Sequence, residues 1–179
     1  VAYKLDDITT DIEELGDRIT SRFKEFCNEY GRDLSLWFEP GKFLVSEAGY
    51  LLVHVNVIKQ TTATVFAGIN SGQNHLIRPM FYDAYHQIEN ISNPNGAERI
   101  YTVVGNICET DTFAWDRVLS EVREGDFLVF HNAGAYGFEM SSNFNSRLNQ
   151  YAAVSVRAMR AFNRSERLEA IAPTWAEGT

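Results

Sequence analysis

The hydrophobic period of this chain changes at Gly31, and that change limits the folds open to it. Before it, Ile12, Leu15, Ile19, Phe23, Phe26 and Tyr30 recur every three or four residues, which draws one apolar stripe along a helix. Thr10-Asp11-Ile12-Glu13 reads as a capping box and Gly31 as a left-handed terminator, so a helix is expected over 10–30. Cys27 lies at the edge of the stripe and reads as packing. Past Gly31, the apolar run at 34–38 predicts a short strand, closed by the turn Glu39-Pro40-Gly41-Lys42. A helix followed by a buried strand is half of a β/α repeat and needs parallel neighbours. None precedes it, so residues 1–42 read as the last helix and strand of a truncated β/α barrel, with the stripe expected to pack on the next domain or on another copy.

Residues 43–179 read differently. The stretches 49–60, 61–66, 100–107 and 126–134 are rich in β-branched and aromatic residues and predict strands, with turns at 93–96 and 124–126. Short helical pieces are expected at 113–119 and around 141–147, and a strand end with a last helix in the tail. The fold class is therefore mainly β, an antiparallel barrel or sandwich behind a barrel remnant.

Composition removes several function classes. A net charge of −8 opposes a nucleic-acid partner, which needs clustered Lys and Arg. No apolar run reaches the roughly 20 residues of a membrane span, and Lys4, Asp6 and Asp7 do not suit a signal peptide. Two cysteines in unlike contexts suggest no disulfide framework, so a reducing cytoplasm is expected.

Polar groups gather at four strand ends or turns. Glu39 and Lys42 flank a Pro-Gly turn, where a carboxylate could face a protonated ring nitrogen and an ammonium could meet an anion, or where both could simply be solvated. Arg78 precedes Pro79, which favours extended backbone, and Tyr82 and Tyr85 follow it. Arginine suits bidentate carboxylate binding, although a surface ion pair needs no more than this. Cys108 and Glu109, with Asp111 close by, put a thiol among carboxylates. A metal is not expected, because no second cysteine or paired histidine stands at ligand spacing, and an ordinary strand cysteine remains open. Finally Gly134, Tyr136 and Gly137 would let backbone approach a ligand closely.

In order, "EPGK", "LIRPMFYDAYHQI", "VVGNICETD" and "NAGAYGFEMSSNFNSR" resemble the motifs of diaminopimelate decarboxylases, in the alanine-racemase-like class of pyridoxal 5′-phosphate (PLP) enzymes. The resemblance covers about residues 34–147. It implies a homodimer whose active sites join the barrel of one subunit to the β domain of the other. It gives Glu39 to the PLP pyridine nitrogen and Lys42, in the place of the family arginine, to phosphate or substrate carboxylate. Arg78 and Tyr82 fall to the substrate carboxylate, Glu109 to its distal ammonium, Cys108 to the reacting carbon and Tyr136 to the cofactor. The implied reaction converts meso-diaminopimelate to L-lysine and CO2.

Asn132 stands where the family often has aspartate, 66–79 is longer and less acidic than the family's loop, and the sequence after Arg147 departs from it. The family's Schiff-base lysine and glycine-rich phosphate loop have no counterpart, since Lys4 is not in that lysine's motif. A C-terminal fragment is the expectation, inactive alone and not retaining PLP. A related decarboxylase acting on ornithine, arginine or carboxynorspermidine is a second reading, and a non-catalytic β-barrel dimerisation module a third.

Overall fold

The computed structural model describes residues 1–4, 6–109, 111–147 and Ala153–Val154. Helix α1 spans Ile12–Tyr30, within the expected limits. Its capping group is the Asp11 carboxylate, which accepts from the Glu13 and Glu14 N–H groups at 2.9 and 3.0 Å, so the Thr10 box is displaced by one residue. Gly31 ends the helix at φ 76°, a conformation only glycine adopts without cost, with N–H bonds from Gly31 and Arg32 to the Cys27 carbonyl.

One expectation fails beside it. Residues 34–38 pair with no strand among the described residues, and Trp37 is 88% exposed. A strand is defined by the neighbours that satisfy its backbone, and here there are none. Of the two partners expected for the α1 stripe, the β domain or another copy, the β domain does not cover it. The helix buries no residue, and its apolar side instead forms an open groove of about 770 Å³ with Leu36. The Glu39–Lys42 turn runs into a short helix α2, Gly41–Val45, and a 3-10 turn, Ser46–Ala48.

The rest is a seven-stranded sheet: β1 Gly49–Gln60, β2 Val65–Ile69, β3 Ile88–Asn90, β4 Glu98–Val104, β5 Thr112–Ser120, β6 Phe127–Phe130 and β7 Ala153–Val154. The order is β3-β6-β1-β2-β4-β5, with β7 also on β1. Five pairings are antiparallel but β2 and β4 run parallel, so the sheet is mixed rather than purely antiparallel. A parallel pair needs a crossover. The chain between β2 and β4 supplies it, carrying helix α3, Arg78–Tyr82, and strand β3.

Side chains join the two sheet edges into a nearly closed barrel. Arg117 on β5 donates to the His86 carbonyl just before β3 at 3.0 Å, and Asn90 on β3 donates to the Glu121 carbonyl just after β5 at 2.9 Å. Val53, Val55, Val103, Phe113, Leu128 and Phe130 fill the interior.

Strand β5 replaces the helical piece expected at 113–119. Its register against β4 slips twice: Trp115 and Asp116 oppose Thr102 alone, and Phe113 is extra between Ala114 and Thr112. Each bulge breaks the period-two alternation, so the adjacent residues Phe113 and Ala114 are both buried and the strand lacks the alternation that would announce it. The helix expected around 141–147 is present only as 3-10 turns, Phe138–Met140 and Phe144–Ser146. The expected tail helix lies outside the described residues.

Candidate functional site

Lys42, Arg78, Tyr82, Ala84 and Tyr136 line an open pocket of about 360 Å³. Arg78 opens α3 instead of lying extended before Pro79, since proline is tolerated in a helix's first turn. The short helix puts Tyr82 one turn further on, with the Arg78 guanidinium 5.8 Å from its ring centroid. Arg78 is 7% exposed, and its Nε finds no hydrogen-bond partner among the described residues. A buried charge with an unused donor is costly unless something pairs with it. Lys42 comes from α2. Tyr136 follows β6, its hydroxyl set so close to Gly41 that a Cβ there would lie 2.9 Å away. In a chain of net charge −8, this pocket is locally cationic.

Beside it lies His86, 1% exposed. Its Nδ1 bonds the His131 carbonyl at 2.8 Å, which puts the proton on Nδ1 and leaves Nε2 as an acceptor. Burial, reinforced by Arg78, Arg117 and Lys42, pushes this imidazole down to about 4. It is neutral at physiological pH and does not add to the cationic charge. Arg117 stacks over the Tyr85 ring at 3.7 Å while holding the His86 carbonyl.

Cys108 and Glu109 form a second, exposed cluster. The Cys108 thiol donates to Glu109 Oε2 at 3.3 Å, and Asn145 Nδ2 donates to the same oxygen at 3.0 Å. These two bonds, that from Asn145 first, hold the Glu109 carboxyl below its ordinary range. Neither residue lines the Arg78 pocket, and Glu39, exposed at the turn into α2, belongs to neither cluster.

The second acid of that stretch, Asp111, is a brace. It is 6% exposed and accepts from the Ile107 N–H at 2.9 Å and the Gln73 N–H at 2.6 Å. One carboxylate thereby ties the Cys108 loop to the segment leading into α3. Burial raises its carboxyl, and these N–H bonds oppose the shift.

Sequence reasoning missed Tyr3, His86 and Asn145. Tyr3 and Asn145 reach the site across long sequence separations that no local pattern reports. His86 sat within a quoted motif but was read only as a scattered histidine.

The profile of the family "Pyridoxal-dependent decarboxylase, C-terminal sheet domain" matches residues 15–134. The chain is 43% identical over 151 residues to the diaminopimelate decarboxylase of Methanothermobacter thermautotrophicus, covering 82% of this chain and 35% of that protein. To the diaminopimelate decarboxylase of Pseudomonas fluorescens it is 44% identical over 147 residues, again 82% of this chain and 35% of the relative. The crystal structure of diaminopimelate decarboxylase from M. jannaschii in complex with L-lysine superposes with a TM-score of 0.76 at 36% identity, over 82% of this chain and 34% of that one. The chain thus spans about a third of the length of these relatives. The match over two thirds of the chain shows its family: the chain is a member of the C-terminal sheet-domain family of pyridoxal-dependent decarboxylases.

Proposed function

We propose that this chain is the sheet-domain half of the active site of a diaminopimelate decarboxylase, a homodimeric cytoplasmic enzyme that converts meso-diaminopimelate to L-lysine and CO2. The observation that carries the reading is the buried Arg78, with its unused Nε donor, beside Lys42 in an open pocket. That cationic pair fits the anionic groups of PLP and of an amino-acid substrate. Lys42, Tyr136 and Glu39 would hold the cofactor, which when bound supplies the electron sink for loss of CO2.

Arg78 supplies a planar fork to a carboxylate and Lys42 a point charge, and Tyr82 closes one wall. Lys42 in the place of the family arginine keeps the charge and gives up the fork. Glu109, held ionised, grips the distal ammonium of the substrate, so the two charged ends of diaminopimelate meet groups of opposite sign. The Cys108 thiol donates its proton to a hydrogen bond with Glu109. Once an ammonium occupies Glu109, that proton is free to be delivered to the reacting carbon. Because the two clusters are separate within one chain, the Lys42–Arg78 pocket would serve the site of its own barrel, while Cys108 and Glu109 would reach into the site of the partner subunit. The two free cysteines suit a reducing compartment.

The test is CO2 release by the full-length decarboxylase that carries this domain, offered diaminopimelate, lysine and ornithine in parallel. Diaminopimelate is expected to be strongly preferred, and equal turnover of ornithine overturns the assignment. The 179-residue chain alone is expected to release no CO2. Mixing a Cys108→Ala subunit with one lacking the barrel's Schiff-base lysine is expected to restore part of the activity, because only shared sites can be rebuilt that way.

A further inference from the structure

Tyr3 lies far in sequence from every motif above, yet its side chain stands among the pocket's cations. Lys42 Nζ is 5.3 Å from its ring centroid, Arg78 Cζ is 5.5 Å away, and the His86 ring meets it edge-on at 5.7 Å. The ring is held in place from several directions. Its hydroxyl bonds Ser46 Oγ at 2.7 Å, and Ser46, fully buried, donates in turn to the Ala135 carbonyl at 3.2 Å, next to Tyr136. Asn132, at φ 57°, donates Nδ2 to the Ala2 carbonyl at 2.6 Å. The Asp7 carboxylate accepts from the N–H groups of Tyr3 and Lys4, both at 2.8 Å.

Tyr3 does not belong to the hydrophobic core. Its neighbours are two cations, an imidazole and a buried hydroxyl. Lys42 and Arg78 repel each other, and Lys42, on an exposed helix, has a long side chain with many rotamers to lose. An aromatic ring carries negative charge on its faces and attracts both cations.

We propose that Tyr3 is a positioning residue whose ring, fixed through Ser46, holds Lys42 and Arg78 at one spacing so that both receive a single anionic group of substrate or cofactor. This rests on reading the pair as the anion site of the decarboxylase. Tyr3 itself touches no reacting atom. A change at position 3 therefore alters how tightly an anion is held and leaves the chemical step alone.

The test uses the 179-residue chain with inorganic phosphate as the probe, followed by NMR of the Arg78 Nε–H and Lys42 side-chain signals. Tyr3→Phe keeps the ring, and its pentafluorinated counterpart keeps the shape while removing the attraction for cations, so folding is not at issue. Tyr3→Phe is expected to bind phosphate within about threefold of wild type. The fluorinated ring is expected to weaken binding about tenfold, the combined effect of two cation–π contacts. Ser46→Ala removes the same hydroxyl contact as Tyr3→Phe and keeps the ring faces, so it is expected to bind phosphate as Tyr3→Phe does. Equal affinity for the two rings overturns the proposal, as does the absence of any phosphate-induced shift at Arg78 and Lys42 in the wild type. In the full-length enzyme the fluorinated ring is expected to raise KM about tenfold with kcat within twofold, and a fall in kcat at unchanged KM also refutes it. Failure of that enzyme to decarboxylate diaminopimelate would sink the functional reading, while the phosphate titration would still judge Tyr3.

Discussion

The substitution His86→Asn keeps a donor where Nδ1 now bonds the His131 carbonyl and removes the titrating ring. In the wild type, burial first and the cations Arg78, Arg117 and Lys42 second bring the imidazole from its ordinary 6.5 to about 4. Between those values the unfolded chain binds a proton that the folded chain refuses. Stability is therefore complete above pH 6.5, falls as pH decreases through the window, and stops falling below about pH 4. At about 1.36 kcal/mol for each pH unit, the full loss is about 3 kcal/mol, a large share of a small domain's stability. Asp111 contributes with the opposite sign, because burial raises its carboxyl and its folded form takes up protons more readily than its unfolded form. That contribution is common to both proteins and cancels in their difference. Urea unfolding at intervals from pH 7.5 to 4 is expected to show a pH-dependent loss steeper in the wild type than in His86→Asn by about 3 kcal/mol over the range. Parallel curves, or a His86 ring signal titrating near 6.5 by NMR, would refute the reasoning.

Other perturbations separate the roles of the remaining groups. Asp111→Asn places an amide N–H₂ against one of two backbone donors and is expected to cost about 2–3 kcal/mol, read from the urea midpoint. Asp11→Ala removes the α1 cap and about 1 kcal/mol of local helix stability. Because α1 buries no residue, amide exchange at Glu13 and Glu14 is expected to accelerate while global unfolding stays put. In the full-length enzyme Arg78→Ala is expected to lower kcat/KM about a hundredfold, with Arg78→Lys recovering only part of it, since lysine restores charge without the fork. Glu109→Gln is expected to raise KM for diaminopimelate more than for a substrate lacking the distal ammonium.

What the sequence disclosed followed from local rules. The strand at Gly49–Gln60 was readable because β-branched residues crowd it, and Gly31 because a helix stop there wants a left-handed residue. Strand β5 was misread because two bulges erase the alternation of buried and exposed side chains by which a strand is recognised. Residues 34–38 were misread because their apolar character says what they could pair with, not whether the partner is there. Of the residues singled out from the sequence, Lys42, Arg78, Tyr82 and Tyr136 line one pocket. Tyr3 went unseen because its bond to Ser46 closes a loop of more than forty residues, a relation held in the fold and not in any neighbouring pattern.

The parallel pairing of β2 with β4 has a consequence for how this family can change. The connection it requires holds Arg78, Tyr82, Tyr85 and His86, and both of its ends are fixed by register in the same sheet. Midway it is pinned again where β3 joins β6. Ligand preference can therefore drift by exchange of side chains on the span ahead of β3 without unsettling the barrel, and the added length at 66–79 is taken up between the same fixed ends. Novelty in such a domain can arise on this one connection while the sheet on either side of it stays as it is.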